Sequence, residues 1–316
     1  MTLKFPRPAS QPKDIYAAVT NGLIAAIEAH PGDWTMPWRT GGQSLSLPVN
    51  AGTRRSYHGI NTVVLWVTAR QRGYASSGWA TLKQWNELGA RVRKGETGTP
   101  VVFYKTFQAA PDPGDPDDDG TRRAARSYTV FNRSQVEGLD EPDVVAENAS
   151  PASLPERIEA AERFAAATSA DIRYGGDRAF YSPAGDFIQM PPLSAFTGTV
   201  TMPPGESFVA TKLHELLHWT GPRLNRDFGK RFGDAAYGFE ELVAEIGSCM
   251  LMAELAITPD ARPDHAQYLA HWLSILKADK RAIFTAAARA QEAVEFLKGF
   301  QENAQPADEE PESLAA

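Results

Sequence analysis

The sequence predicts an α+β protein in two parts: a small N-terminal α+β domain, then a mainly helical domain carrying a β-hairpin or small sheet. Three observations predict it. At 316 residues the chain exceeds the usual size of one domain. Runs rich in β-branched and aromatic residues at 99–107 and 126–131 stand among helical segments in the first half, whereas helical periods dominate after residue 200. A polar, proline-punctuated stretch at 138–154, with Gly138-Leu-Asp-Glu-Pro-Asp143 and Ser150-Pro-Ala-Ser-Leu-Pro155, separates the two. The expected units are therefore residues 1–137, a linker at 138–154, residues 155–300 and a disordered tail at 301–316.

The elements follow in order. Ile15, Val19, Leu23 and Ile27 recur on one helical face within 13–29, and Pro31-Gly32 ends that helix. Residues 60–71 form a second helix and Thr81 to Leu88 a short third. Thr99-Pro-Val-Val-Phe-Tyr-Lys-Thr-Phe107 reads as a strand and 126–131 as its partner. The acidic, proline-rich insertion between them, 109–121, reads as a disordered hairpin tip. In the second half a helix is expected at 155–168. A β-hairpin pairs Ala179-Phe-Tyr181 with Phe187-Ile-Gln-Met190, and helices cover 206–218, 237–257, 264–277 and 279–299. No internal repeat is present.

Composition limits the function classes. A hydrophobic content of 42% supports packed cores, and the single cysteine, Cys249, excludes an internal disulfide framework. Cys249 lies in the apolar run Ile246–Met252, which reads as core. The N-terminus lacks an apolar signal segment, and no run approaches the ~18 apolar residues of a membrane span. A cytoplasmic protein without a membrane partner is expected.

The most informative motif is His214-Glu-Leu-Leu-His218. Helical residues four apart share a face, so both imidazoles can reach one Zn2+ or another divalent ion. The apolar period of Glu206–Leu213 and the Gly221-Pro222 stop give the motif a helix. A catalytic zinc needs a third protein ligand and an open position, and Glu240-Glu-Leu-Val-Ala-Glu245 on the next helix offers one. Glu241 is assigned to the metal and Glu245, one turn on, to holding a ligand imidazole; spacing alone leaves the reverse assignment open. Glu240 is expected to be solvated or a hydrogen-bond partner. Glu215 is the expected general base for a water attacking a polarised carbonyl. Tyr237, Arg223, His265 and His271 are all possible oxyanion donors.

Charge is divided unevenly. Residues 1–107 carry 13 Lys plus Arg against 5 Asp plus Glu, or +8, which leaves -15 for the remainder of a chain whose net charge is -7. Five of the seven tryptophans (34, 38, 66, 79 and 85) fall in the same basic stretch. Cations that follow phosphates, interleaved with aromatic faces that stack on bases, suit single-stranded nucleic acid. A solvated surface over a tryptophan-rich core would have the same composition. The contact candidates are Trp38, Arg39, Arg54, Arg55, Tyr57 and His58, with Arg91, Arg93 and Lys94 as phosphate binders.

Across both halves the chain resembles the ArdC family of antirestriction proteins. In the first half the resemblance rests on Pro37-Trp-Arg39, Pro48-Val-Asn50, Tyr57-His-Gly-Ile-Asn61, Trp79-Ala-Thr81, Gly89-Ala-Arg-Val-Arg-Lys-Gly-Glu96 and Val130-Phe-Asn132. In the second it rests on Phe180–Pro191, His214–Gly221, Arg223-Leu-Asn-Arg226 and Glu240–Glu245. The resemblance implies a single-stranded DNA-binding domain joined to a zincin-like metallopeptidase domain. His214, His218 and Glu241 would be metal ligands, Glu215 the base, and protection of incoming single-stranded plasmid DNA from restriction the function. Two further readings compete: a DNA-targeted zinc protease that cleaves proteins met on single strands, and a binding module whose metal is structural.

Overall fold

A computed structural model describes residues 15–28, 46–110, 114, 120–139, 153–199, 202–228, 235–257 and 265–304. Helix α1 (Ile15–Glu28) buries Val19, Leu23, Ile24 and Ile27, the face its period predicts. Strand β1 (Val49–Asn50) leads through a tight turn to helix α2 (Ile60–Arg72), which ends where Gly73 adopts φ 66°. That left-handed conformation is accessible to glycine without a Cβ clash and lets the cap close onto Ala69 and Arg70. Strand β2 (Gly78–Thr81) passes directly into helix α3 (Leu82–Glu87), where Thr81 and Gln84 form a reciprocal capping box. Strand β3 (Arg91–Val92), the long hairpin β4 (Thr99–Gln108) and β5 (Thr121–Asn132), and β6 (Val136–Glu137) complete the half.

The main sheet has the order β1-β2-β5-β4, with β1 parallel to β2 and the other pairs antiparallel. β3 and β6 form a separate two-stranded ribbon. The β4–β5 register runs without a break from Thr99↔Val130 to Gln108↔Thr121. The hairpin is thus longer than the expected strands, and most of its expected tip lies outside the described residues.

The second half opens with helix α4 (Leu154–Ala167), started by a Ser153–Glu156 capping box and Pro155. Strands β7 (Asp171–Tyr174), β8 (Phe180–Ser182) and β9 (Phe187–Met190) form a sheet of order β7-β9-β8. The β8–β9 hairpin is the expected one; β7, parallel to β9, was not expected. Helices α5 (Pro204–Trp219), α6 (Ala235–Glu254), α7 (His265–Ala278) and α8 (Ala282–Ala304) follow. No helix among the described residues is long and apolar enough to cross a membrane.

Helix α6 is the centre of this half, since every residue from Leu242 to Met252 is buried. It lies against α5 and α8, and a Cβ placed on Gly247 would come within 2.5 Å of Leu217 Cδ1 on α5. The missing side chain therefore sets how closely the two helices approach.

The two halves pack together. One hydrophobic cluster joins Val19, Leu23, Ile60, Val63 and Val102 to Ile283, Phe284 and Ala287. Thr20 Oγ1 donates to Lys280 O at 2.6 Å, the Gly59 amide donates to Gln291 Oε1 at 3.1 Å, and Lys277 pairs with Glu28 at 2.6 Å.

Candidate metal centre

Helix α5 presents His214, Glu215 and His218, and α6 presents Glu240 and Glu241, all of them buried. The Nε2 atoms of His214 and His218 face each other at 3.2 Å. Glu241 Oε2 lies 3.6 Å from His214 Nε2, and Oε1 lies 3.5 Å from His218 Nε2. Four ligands at ~2.0–2.1 Å around a tetrahedral zinc are separated by about 3.3 Å. The His214–His218 edge matches that figure, the carboxylate of Glu241 turns one oxygen toward each imidazole, and two imidazoles with one carboxylate are a zinc-type donor set. The residues fit a divalent metal.

The electrostatics agree. Burial opposes charge on His218, but Glu241, Glu240 and Glu215 outweigh it and lift its pKa to about 9. Burial likewise pushes Glu241 up, yet His218, His214 and a hydrogen bond from Tyr237 hold it well below the usual carboxylate range. A pocket with this much negative potential favours a cation.

Behind the ligand atoms stands a pair that spacing did not reveal. His218 Nδ1 lies 3.2 Å from Glu240 Oε1, positioned to donate when Nε2 faces the ligand centre. Glu240 in turn accepts from Arg226 Nε and Nη2, both at 2.9 Å. Arg226 also donates to Thr220 Oγ1 and to Leu217 O at the end of α5. Glu240 is therefore a carboxylate that holds the His218 imidazole, which fills the hydrogen-bond role that spacing left open for it. Residues 241 and 245 share a helical face, but α6 crosses α5 so that the preceding residue meets His218. Glu245 is fully buried, with Cys249 Sγ 4.0 Å away.

Glu215 forms no hydrogen bond among the described residues, although it is buried and beside both histidines. Of the oxyanion candidates, only Tyr237 is brought to the site, through Glu241. Arg223 is turned away, paired with Asp186 at 2.8 Å and stacked 3.6 Å over Trp219. His271 packs against Gly238, and the His265 side chain lies outside the described residues.

The nucleic-acid candidates divide. Arg54, Arg55 and His58 are exposed together on the turn between β1 and α2, with Arg54 held at φ 60°. Arg91 and Lys94 are exposed, whereas Arg93 is engaged by Glu96 at 2.6 Å and by the Ser134 carbonyl at 2.6 Å. Tyr57 is a correction: it is 5% exposed, takes a hydrogen bond from Asn50 and cannot offer a face to a base. Trp66, Trp79 and Trp85 are core as well, because each indole fills the small interior; the Trp66 and Trp85 N–H groups bond to the Ser46 and Phe131 carbonyls. Trp38 and Arg39 lie outside the described residues.

Residues 13–131 match the family described as the N-terminal domain of anti-restriction factor ArdC, and residues 159–289 match the zincin-like metallopeptidase family. The metal-free crystal structure of antirestriction protein ArdC from plasmid R388 is 41% identical, superposes with a TM-score of 0.73, and covers 93% of this chain and all of that one. The chain belongs to the ArdC antirestriction family. The Mn(II)-bound ArdC structure is 40% identical, with a TM-score of 0.72 over 92% of this chain and 100% of that one. The y4eC protein of Sinorhizobium fredii is 44% identical over 95% of this chain and 96% of its own length. DNA primase TraC of Escherichia coli is 35% identical over 92% of this chain, but the chain spans only 27% of that protein. The ArdC-family assignment and the site geometry agree on a divalent metal held in a zincin-like domain.

Proposed function

We propose that the protein binds single-stranded DNA through its N-terminal half and protects it from restriction, and that its second half carries a hydrolytically competent peptidase centre. The observation that carries the second part is the convergence of His214 Nε2, His218 Nε2 and Glu241 within 4.8 Å of one another, with Glu215 beside them. His214, His218 and Glu241 hold the ion, Glu240 and the buried Glu245 position the ligand set, and Glu215 is the general base. When bound, the ion supplies Lewis acidity toward a peptide carbonyl and an attacking water. Glu215 accepts the proton of that water and returns it to the departing amine. Tyr237, hydrogen-bonded to Glu241, is the candidate donor to the developing oxyanion.

The unbonded state of Glu215 favours the stronger reading, a protease that cleaves proteins encountered on single-stranded DNA. The oxygens of Glu215 are not among the sealed, unpartnered atoms of the interior, so they can meet a water at the site and take its proton, as a general base must. Support for DNA binding is separate: the family assignment, the basic N-terminal half and the exposed Arg54, Arg55 and His58.

The decisive test compares wild type with Glu215→Gln for protection of incoming single-stranded DNA in a restricting host, at equal expression and equal DNA binding. Loss of protection is the expected result if hydrolysis is part of the mechanism. Full protection by the variant would assign the antirestriction role to binding alone.

A further inference from the structure

Four of the nine large apolar side chains exposed among the described residues lie on one hairpin: Phe103, Tyr104, Phe107 and Tyr128. Near its base the hairpin is core, with Val101, Val102 and Val130 buried. Beyond Phe103 one face of the hairpin still meets the body, with Tyr104 OH 3.4 Å from Tyr16 OH and Ala125 packed on the core, while the opposite face turns to solvent. Strand side chains alternate, and directly paired residues share a face. Phe103 and Phe107 therefore lie on one side of β4, with Arg126, the partner of Phe103, and Tyr128, the partner of Val101, beside them on β5. Phe103 and Tyr128 meet edge to face, with centroids 5.4 Å apart and rings 88° from parallel. Phe107 stands four residues farther along, about 14 Å away. Phe103, Phe107 and Tyr128 are 47%, 45% and 45% exposed, so a large part of each ring surface is in solvent.

Charge selects the occupant. The paired arms, 99–108 and 121–132, contain Lys105, Arg122, Arg123 and Arg126 and no carboxylate. The nearest acids in sequence are the aspartates of 112–119, beyond the arms. A second apolar protein surface would gain nothing from four cations, whereas a polyanion that offers flat rings uses both features.

We propose that the outer arms of the β4–β5 hairpin form a stacking face for the bases of single-stranded DNA, built from Phe103, Phe107 and Tyr128 with Arg126 on the phosphates. This rests on the DNA-binding reading above and adds a place on the molecule that the first-half motifs did not indicate. Duplex DNA, whose bases are already stacked, does not use it.

The test is fluorescence anisotropy of the full chain with a labelled oligo-dT and with a duplex of equal length. Phe103→Ala and Tyr128→Ala are each expected to weaken oligo-dT binding by about 5- to 150-fold. Tyr128→Phe keeps the ring and the affinity, and Arg126→Ala reduces the salt slope by about 0.7. Because these side chains are exposed, unchanged thermal melting is expected for all four variants. If wild type fails to bind oligo-dT, the DNA-binding reading falls and takes the hairpin with it. If wild type binds and both alanine variants bind equally well, the hairpin assignment alone is overturned. A concentration-dependent sedimentation of wild type that both variants abolish at unchanged oligo-dT affinity would also overturn it, in favour of a second copy of the chain.

Discussion

Glu240 connects Arg226, in the segment that follows α5, to the His218 imidazole on α5. It is 2% exposed, and burial alone would raise its pKa; the bonds with His218 and Arg226 hold it below the ordinary value instead. Glu240→Gln keeps the shape and a neutral acceptor oxygen but removes the charge, so the bond that orients His218 loses its charge assistance. Metal affinity is expected to fall about 10- to 100-fold, read by competition with a chelator. Tyr57 gives a second prediction. Burial, only partly offset by the hydrogen bond from Asn50, raises its pKa from 10.0 to about 12. The unfolded chain then releases the phenolic proton first. The stabilising contribution is complete below pH 10 and declines as pH rises toward 12, so alkaline unfolding should begin later in Tyr57→Phe than in wild type, as followed by circular dichroism. The ligand residues were legible because helical spacing is local: 214 and 218 must share a face wherever the helix lies. The role of Glu240 was not, since it depends on the angle at which α6 crosses α5. Tyr57 was misjudged for a related reason, composition being the same for a ring in the core and a ring on the surface; the same ambiguity had left Trp66, Trp79 and Trp85 open until their burial decided it.

At the scale of elements, helices announced themselves, and of the short strands only the β8–β9 hairpin did. The runs behind α1, α2 and α4–α8 carry periods and caps over a dozen or more residues. β7, only Asp171–Tyr174, shows one partly buried side chain and three exposed ones, and it pairs in parallel with a strand that begins 13 residues after its end. Nothing local marks such a segment. Gly247 illustrates how an element can govern a site at a distance. It lies six residues beyond Glu241 on the same helix, against Leu217, which sits next to His218. Gly247→Val would force α5 and α6 apart. A loss of about 1–3 kcal/mol in urea unfolding is expected, together with weaker metal binding, whereas Gly247→Ala should be intermediate in both.

For the whole molecule, length, the change of patterning and the proline-punctuated stretch at 138–154 led to an expectation of two units, and one hydrophobic cluster spans that division. A fragment of residues 1–137 would expose Val19, Leu23, Ile60 and Val63, which now touch α7 and α8 or their neighbours in one cluster. It is expected to bind a hydrophobic dye and to melt well below the full chain, by differential scanning fluorimetry. A fragment with wild-type stability and no dye binding would mean that the shared cluster contributes little.

That shared cluster also bears on inheritance. A pair of units joined only by a tether can be separated, duplicated or exchanged by recombination, each surviving without the other. Here a breakpoint between the halves would strand apolar surface on both products, so selection acts on the block as one. The match to the much longer TraC primase accordingly runs through both halves, covering 92% of this chain.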